Sequence, residues 1–457
     1  MKFLMKNTAS HFVFGLMLFS IPLTAQNIKL DSAKVLALEN NKHLKDARYK
    51  LESSEKVKEN AFTNFFPEVS ASGFALRSSD YLLDIQTPEM NLPIYDGNPA
   101  NIPNATQFAY VPSLSIQSLD YVNTAMITAT LPIYAGGRIR NGNNLAQLGI
   151  DINQEQLNLS TDQVLTTTEE YYWTLVALKE KKITLNNYEK LLLRLQKEVQ
   201  DYYDAGLINK SDLLKVKLEL NKIEYNKLKL NNGIEMLKMV FCQHIGIAYN
   251  QSFNVNDSIV SILPPESYFM ATEKALENRK EYVMLNKAIE AEELQKKMAL
   301  GEYLPQLAVG ASGMYLDAFE QNNTYGLAFA TLSIPISDWW GGSKKLQEQD
   351  IKIKIAQNNL EDKSELLQLQ ITKTYNDLII SYKQIEIAKT SLKQSLEYQK
   401  ELEDTFDAGI TNTSDLLEAR ALAQQAKDNL IDAKSNYKIK AANYLLTIGE
   451  TIPVIEN

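Results

Sequence analysis

The chain has 457 residues, of which 45% are hydrophobic and 23% are charged, and its formal net charge is −9. The excess of acidic residues argues against nucleic-acid binding, because proteins that bind nucleic acids usually present a basic face. Cys242 is the only cysteine, so neither an internal disulfide nor a thiolate metal cluster is available. The three histidines leave little for metal ligation or base catalysis. We therefore expect no enzyme activity, no metal site and no cofactor.

Residues 1–25 have the pattern of a secretory signal peptide. Lys2 and Lys6 form a basic start, an apolar run follows from Phe12 to Leu23, and Ala25 ends a cleavage site of small residues. The apolar run is shorter than the roughly 20 residues that a membrane-spanning helix needs. Because no later stretch is longer, a membrane protein built from this chain requires a closed β-barrel.

The chain after the signal peptide contains an internal repeat. The segment Tyr203–Leu214 recurs as Phe406–Leu417, with an offset of 203 residues. Pro132 and Pro335, each within a short apolar segment, are related by the same offset, and a glycine pair follows each of them. The glycine pairs are Gly136 with Gly137 and Gly341 with Gly342, and we predict a strand-to-helix corner at each.

Two repeats are therefore predicted, 26–247 and 248–457, each with the order helix, strand, strand, long helix, turn, helix. The first repeat also holds a loop of about residues 78–118 between its two strands, with five prolines. Proline at this density argues against regular strand pairing, so we predict an exposed loop. Its counterpart in the second repeat, 317–323, is a short polar turn.

The long helical segments show a seven-residue repeat, which is typical of a coiled-coil seam. At 1.5 Å per residue, residues 341–406 would extend for about 100 Å as one helix. The apolar positions are Leu157, Val164, Tyr171, Leu178, Leu185, Leu192 and Val199 in the first repeat, and Ile371, Leu378, Ile385 and Leu392 in the second. Small residues alternate with the second set, at Thr374, Ser381, Ala388 and Ser395.

The predicted strands alternate between one apolar or aromatic face and one small or polar face. Tyr325, Leu327 and Phe329, for example, oppose Gly326 and Ala328. This pattern fits a sheet with lipid on one side and a lumen on the other, and equally an ordinary sheet packed on helices. The signal peptide and the long helices favour the membrane.

Four strands per chain have a physical consequence in lipid. A sheet in lipid cannot leave its edges unpaired, and a closed barrel needs about eight strands or more. We therefore expect an oligomer, with two copies supplying eight strands or three copies supplying twelve.

The order of these parts resembles the TolC-like family of outer-membrane efflux and secretion channels, over essentially the whole mature chain. The repeated Pro…Gly-Gly corners and Asp-Ala-Gly…Ser-Asp-Leu-Leu turns carry the resemblance. It implies an α+β membrane protein of a Gram-negative bacterium: a homotrimer with a twelve-stranded β-barrel in the outer membrane, four strands per chain. A long α-helical coiled-coil barrel would continue through the periplasm. Its tip, formed by the helix-hairpin turns, would meet a periplasmic adaptor (membrane fusion) protein and an inner-membrane transporter.

Asp415 and Glu418 are the candidate pore constriction. They lie three residues apart after the second turn and so share one helix face. The resemblance implies that acidic residues here ring the narrow tip, where three copies would supply six carboxylates that attract cations. The residues themselves also fit a plainer role, because acidic side chains and Ser211, Ser414 or nearby asparagines stabilise a helix N-terminus.

Other residues of the two turns belong to the same predicted tip. Phe406 resembles the aromatic residue that the family places beside its gate, and it also fits packing within the hairpin. Thr411 stands where well-studied members carry an arginine, so a charged link from there to Asp212 is missing, and Lys210 is a candidate substitute. Gly206 and Gly409 are the predicted turn glycines.

These features together predict a passive exit duct of a tripartite efflux or type I secretion system, located in the outer membrane and reaching into the periplasm. The alternative is a structural periplasmic coiled-coil protein without a pore. That alternative explains the heptads but not the alternating strands or the repeated glycine pairs.

Overall fold

The computed structural model describes residues 27–118, 120–259, 262–319 and 321–453. The predicted signal peptide, residues 1–25, lies outside these ranges. No helix within them is long and apolar enough to cross a membrane. The helices are α1 (Leu30–Asn40), α2 (Lys42–Thr63), α3 (Arg138–Asp204), α4 (Lys210–His244), α5 (Thr272–Asn278), α6 (Lys280–Glu302), α7 (Trp339–Asp407) and α8 (Thr413–Thr447).

The strands are mostly short, and three of them are longer than ten residues. They are β1 (Asn27–Ile28), β2 (Glu68–Arg77), β3 (Leu83–Gln86), β4 (Met90–Pro93), β5 (Phe108–Val111), β6 (Ser115–Ser118), β7 (Tyr121–Ala135), β8 (Asn254–Val255), β9 (Gln306–Ala318) and β10 (Gln321–Ser333).

The chain forms two compact units. The first contains the described residues of 1–45, 160–275 and 369–457, and it is helical apart from the parallel pair β1–β8. The second contains 46–159 and 276–368, with a four-stranded antiparallel sheet in the order β10-β9-β7-β2. Both β2 and β10 are therefore edge strands of that sheet.

The predicted heptad seams are confirmed by burial. Within α3, Leu192 and Val199 are fully buried, and within α7 the same holds for Leu378. The other seam residues of both helices, together with the small residues of the α7 seam, are buried or half-buried. Tertiary packing of these faces stabilises helices of this length more than intrinsic propensity does.

The register of the sheet decides which side chains share a face, because opposed residues of neighbouring strands lie on the same side. Ile127 and Val309 lie on one face, which is apolar through the middle of the sheet. The other face carries hydroxyl groups: Thr128 and Ser312 are opposed there, with their oxygens 3.0 Å apart.

The predicted arrangement of faces is wrong for β10. Leu327 is opposed to Ser312 and Phe329 to Gly310, so the large side chains of β10 lie on the hydroxyl face. Gly310 explains the position of the aromatic ring, since a Cβ there would lie 2.4 Å from a ring carbon of Phe329. The missing side chain leaves the space that the ring occupies.

The prediction of an unpaired loop at residues 78–118 is also wrong. β3 pairs with β6 and β4 pairs with β5, both antiparallel. Four of the five prolines lie outside the paired strands: Pro88 and Pro112 lie between the two paired segments, and Pro99 and Pro103 lie in a 3₁₀ turn at the tip, whereas Pro93 is the last residue of β4. Proline lacks the N–H that a ladder needs, so it breaks the ribbon at these points without abolishing it.

Candidate functional site

The first hairpin turn, between α3 and α4, is closed by a glycine in the left-handed region. Gly206 has φ of 75°. Its N–H donates to the carbonyl of Tyr203 at 2.9 Å, and the N–H of Leu207 donates to the carbonyl of Tyr202 at 2.9 Å. This pair of bonds satisfies carbonyls at the end of α3 and reverses the chain.

The second turn, between α7 and α8, has the same backbone geometry. Gly409 has φ of 72°. Its N–H donates to the carbonyl of Phe406 at 2.9 Å, and the N–H of Ile410 donates to Thr405 at 2.9 Å. The sequence repeat thus corresponds to a repeat of hydrogen bonds.

The helix starts that follow the two turns differ. The side-chain oxygen of Asn412 accepts from the N–H groups of Ser414 and Asp415, at 2.8 and 3.1 Å, and so caps α8. Asn209 occupies the same position before α4, but its side chain makes no capping bond. Ser414 does not cap α8, and its hydroxyl instead accepts a hydrogen bond from Lys215.

Asp415 and Glu418 are both exposed on the first turns of α8, whereas the residues between and beside them, Leu416, Leu417 and Ala419, are buried. The Asp415 carboxylate accepts from the Asn412 amide at 2.9 Å. Within one chain, Asp415 therefore belongs to the cap of α8 and also presents a negative charge to solvent. The two roles considered for this residue are compatible.

Lys215 connects the two hairpins. Its ammonium donates to the hydroxyl of Ser414 at 2.6 Å and lies 3.4 Å from the carboxylate of Asp212. Thr411, by contrast, bonds within its own hairpin, to Thr405 at 2.9 Å. Lys210 makes no ion pair among the described residues. Sequence reasoning missed Lys215, because nothing in the linear pattern places residues 215 and 414 together.

A cavity of about 400 Å³ lies between the two turns. Tyr202 and Phe406 provide aromatic surface, while Asp212 and Asp407 provide carboxylates. Phe406 also packs, half-buried, against the apolar cluster beneath the turns, which contains Leu192, Val199, Leu213, Val216, Leu416 and Leu417. Phe406 therefore supports the hairpins and lines the cavity at once.

The first predicted corner has the geometry that requires glycine. Gly136 and Gly137 have φ of 63° and 77°, immediately before α3 begins. A Cβ on Gly136 would lie 2.2 Å from the carbonyl oxygen of Gly301, so two backbones approach closely there. Pro132 marks an irregularity in the pairing of β7 with β9, just before this corner.

The second corner is built differently, which corrects the predicted role of Gly341 and Gly342. Both lie inside α7, which begins at Trp339, and the turn itself is a 3₁₀ segment, Ile336–Asp338, after Pro335. Gly342 instead makes room for a ring: a Cβ there would lie 3.0 Å from Tyr303.

Cys242 and His244, two residues apart at the end of α4, both lie in the protein interior. Cys242 is buried, and no group of metal-binding residues occurs in the described part of the chain. His244 Nε2 lies 3.0 Å from the Thr168 hydroxyl, and Nδ1 lies 3.4 Å from the Asn41 amide. Burial lowers the pKa of His244, so this side chain is a neutral structural residue.

Comparison with solved structures gives the same fold in outer-membrane channels. The Campylobacter jejuni channel CmeC has a TM-score of 0.73 at 14% identity, over 94% of this chain and 87% of that chain. VceC of Vibrio cholerae gives 0.72 at 12%, over 92% and 96%. The open state of MtrE from Neisseria gonorrhoeae gives 0.71 at 12%, over 93% and 90%. At these identities the likeness shows the fold alone.

The sequence itself decides the family. No similar sequence was found among the curated proteins. The family described as outer membrane efflux protein matches residues 35–234 and 271–449, which is most of the chain and includes both hairpin turns. The protein therefore belongs to the outer membrane efflux protein family, as a channel protein of the Gram-negative outer membrane that extends into the periplasm.

Proposed function

We propose that three copies of this chain form an exit duct through which a transporter complex expels its substrates. The four-stranded sheet supports this proposal, because the outer edges of β2 and β10 have no strand partner among the residues that the structure describes. Lipid tolerates no open edge, and three copies supply twelve strands that close into a barrel. The long helices of the three copies would form the periplasmic tunnel.

The single observation that carries the proposal is the family match across both repeats. A pore-free coiled-coil protein has no such support. Passage through the duct is passive, and the energy comes from the inner-membrane transporter, which a periplasmic adaptor connects to the hairpin tips. The outer-membrane lipid surrounds the barrel.

Asp415 and Glu418 are proposed as the constriction of this duct. Both carboxylates are exposed at the start of α8, and Asp415 is held in place by Asn412. Around a threefold axis, six carboxylates would meet at one opening, attract cations and repel small anions. A carboxylate held in place selects ions better than a mobile one, because its charge stays at a constant distance from the passing ion.

Lys215 is proposed as the link that keeps the two hairpins of each copy together. Its bond to Ser414 joins α4 to α8 next to the constriction, and its charge partly balances Asp212. Separation of the hairpins would break this contact. Gly206 and Gly409 allow the turns, and Phe406 supports them. The family's arginine is absent at Thr411, and Lys215 on α4 takes over the link between the hairpins.

The proposal is tested by purification of the protein from outer membranes, measurement of its mass in detergent, and insertion into planar bilayers. A trimer that produces discrete current steps is expected. A monomer, or a stable trimer that never conducts even after Lys215→Met loosens the hairpins, would contradict the duct.

A further inference from the structure

The segment between β2 and β7, residues 78–118, is here called the ribbon. Its two arms pair through β3–β6 and β4–β5. Between these segments the N–H of Thr87 donates to the carbonyl of Leu114 at 2.9 Å, and beyond them Ile94 donates to Gln107 at 3.0 Å. The register is the same on both sides of the proline break, so the ribbon is one continuous two-stranded element.

One face of the ribbon base is apolar and uncovered. Ile85 and Ile116 are opposed, and they are 48% and 52% exposed. The opposite face is polar: the Asp84 carboxylate accepts from Ser115 and Gln117 at 3.1 and 3.3 Å. Farther out, apolar side chains that include Leu92, Phe108 and Tyr110 are exposed as well.

A two-stranded ribbon of this kind is marginally stable alone in water, and exposed apolar surface of this extent marks a contact site. The ribbon leaves the sheet at the end opposite α2 and α3. In an outer-membrane channel with periplasmic helices, that end faces the outside of the cell.

The charge of the ribbon argues against lipid as its cover. It contains Asp80, Asp84, Glu89 and Asp96 but no lysine, arginine or histidine. Segments that bind anionic lipid headgroups are basic, because the attraction is electrostatic. A protein surface is therefore the better match for this apolar, acidic ribbon.

The position of the ribbon indicates which protein surface lies beside it in the proposed trimer. Its first arm continues directly from β2, an edge strand, and Ser78 donates to Asp120 at 2.7 Å just beyond the sheet. In the proposed trimer, the edge of β2 pairs with β10 of a second copy. That pairing brings the β9–β10 turn of the second copy beside the ribbon base.

The β9–β10 turn carries an aromatic residue in an unusual conformation. Phe319 has φ of 57°, in the left-handed region, and its side chain is 53% exposed. A bulky residue rarely adopts this backbone, because the conformation is strained for any residue with a Cβ. Burial of the ring against another apolar surface would offset that strain.

We propose that the apolar face of the ribbon, centred on Ile85 and Ile116, packs against a second copy of this chain at its β9–β10 turn, with Phe319 in the contact. This inference rests on the trimer proposed above. Three such contacts form a collar of ribbons around the extracellular mouth of the duct.

Cysteine reactivity tests the contact. Ile116→Cys and Gln117→Cys, each in a Cys242→Ala background, place a thiol on the apolar and the polar face of one arm. Reaction with a water-soluble maleimide is followed in the intact trimer, both in lipid vesicles and in detergent. Because the contact is between copies, Ile116→Cys should react at least about tenfold more slowly than Gln117→Cys in both.

The other outcomes contradict the inference in distinct ways. Slow reaction of Ile116→Cys only in vesicles would mean that lipid covers the face. Reaction of Ile116→Cys as fast as that of Gln117→Cys, in both media, would mean that nothing covers it. Either result in an intact trimer would contradict the collar of ribbons without contradicting the proposed duct. A protein that is monomeric by mass overturns the trimer itself.

A disulfide experiment gives a second, independent readout. Ile85→Cys combined with Phe319→Cys should form oxidised cross-links between copies, seen as dimers and trimers on a denaturing gel. Asp84→Cys with Phe319→Cys is the matched control and should remain mostly monomeric. Equal cross-linking of the two pairs would contradict the proposed packing.

Discussion

The two hairpin turns of the chain share one backbone conformation but differ in their side-chain hydrogen bonds. Both end a long helix with a left-handed glycine, Gly206 or Gly409, and with equivalent hydrogen bonds. Only the second turn has a side-chain cap, from Asn412, and only there is a carboxylate fixed by the cap residue. The backbone geometry is therefore common to both turns, whereas the side-chain cap and the carboxylate that it holds occur only at the second turn.

The two repeats also differ at the corners before their long helices. The largest effect of a substitution on stability is expected at the first of these corners. Gly136→Ala places a Cβ against the Gly301 carbonyl in a left-handed backbone and should cost about 3 kcal/mol of stability. Gly341 meets nothing within 4 Å, so Gly341→Ala should change stability by less than about 1 kcal/mol. The yield of folded protein and its unfolding temperature check both predictions.

Equal losses in these two variants would mean that the corners are equivalent after all. A tolerated Gly136→Ala, with unchanged yield and unfolding temperature, would contradict the close approach of the two backbones.

The ends of the two short helices provide the next contrast, in their response to pH. Burial lowers the pKa of His244, at the end of α4, whereas Thr447 ends α8 and does not titrate. The unfolded chain therefore binds a proton at a higher pH than the folded chain does. The free energy of unfolding should fall as pH drops below about 6.5, by at most about 1.4 kcal/mol per pH unit, until the lowered pKa is passed.

Denaturant unfolding at pH 7.5, 6.5 and 5.5 measures this loss. His244→Thr, which copies the second helix end, should remove the part of the pH dependence that belongs to the histidine. The same pH dependence in both proteins would show that His244 is not responsible.

The caps give a smaller and more local difference. Asn412→Ala removes two hydrogen bonds from the start of α8 and should destabilise it by about 1 kcal/mol. Asn209→Ala removes no such bond from α4 and should have almost no effect. Amide hydrogen exchange at Ser414 and Asp415, compared with Ser211 and Asp212, reports each helix start separately.

Faster exchange at both starts, or at neither, would contradict the assignment of the cap to Asn412 alone.

The link between the hairpins gives the smallest effect on stability. Lys215 is half-exposed, so its contacts with Ser414 and Asp212 should be worth about 0.5 kcal/mol. Lys215→Met should raise the fraction of time that a single channel is open by about twofold. Lys217→Met removes an exposed lysine of the same helix and serves as the control.

An open fraction that rises equally in both lysine variants would indicate a general charge effect at the tip. In that case the specific link from Lys215 to Ser414 would be rejected.

Sequence reasoning succeeded where a local rule fixes the backbone. The seven-residue period predicted which residues of α3 and α7 are buried, and the Asp-Ala-Gly motif predicted both turns. It failed where distant segments decide the outcome. Lys215 meets Ser414 only because two hairpins pack together, and Phe329 turns to the hydroxyl face because the register places it opposite Gly310.

Two further errors had a physical origin in proline and glycine. The density of prolines predicts no pairing in the ribbon, yet Pro88 and Pro112 lie in the short break between the two paired segments and leave the ladder intact on both sides. Gly341 and Gly342 repeat the motif of the first corner, but a 3₁₀ turn before Trp339 already makes the bend.

The most direct test of the proposed constriction is the reversal potential of single channels under a salt gradient. Wild-type protein is compared with the Asp415→Asn/Glu418→Gln variant, which keeps size and hydrogen bonding but removes the charge. If six carboxylates line the opening, wild-type channels select cations and the variant loses most of that selectivity. Unchanged selectivity in a conducting variant would contradict the acidic constriction and leave Asp415 as a part of the α8 cap.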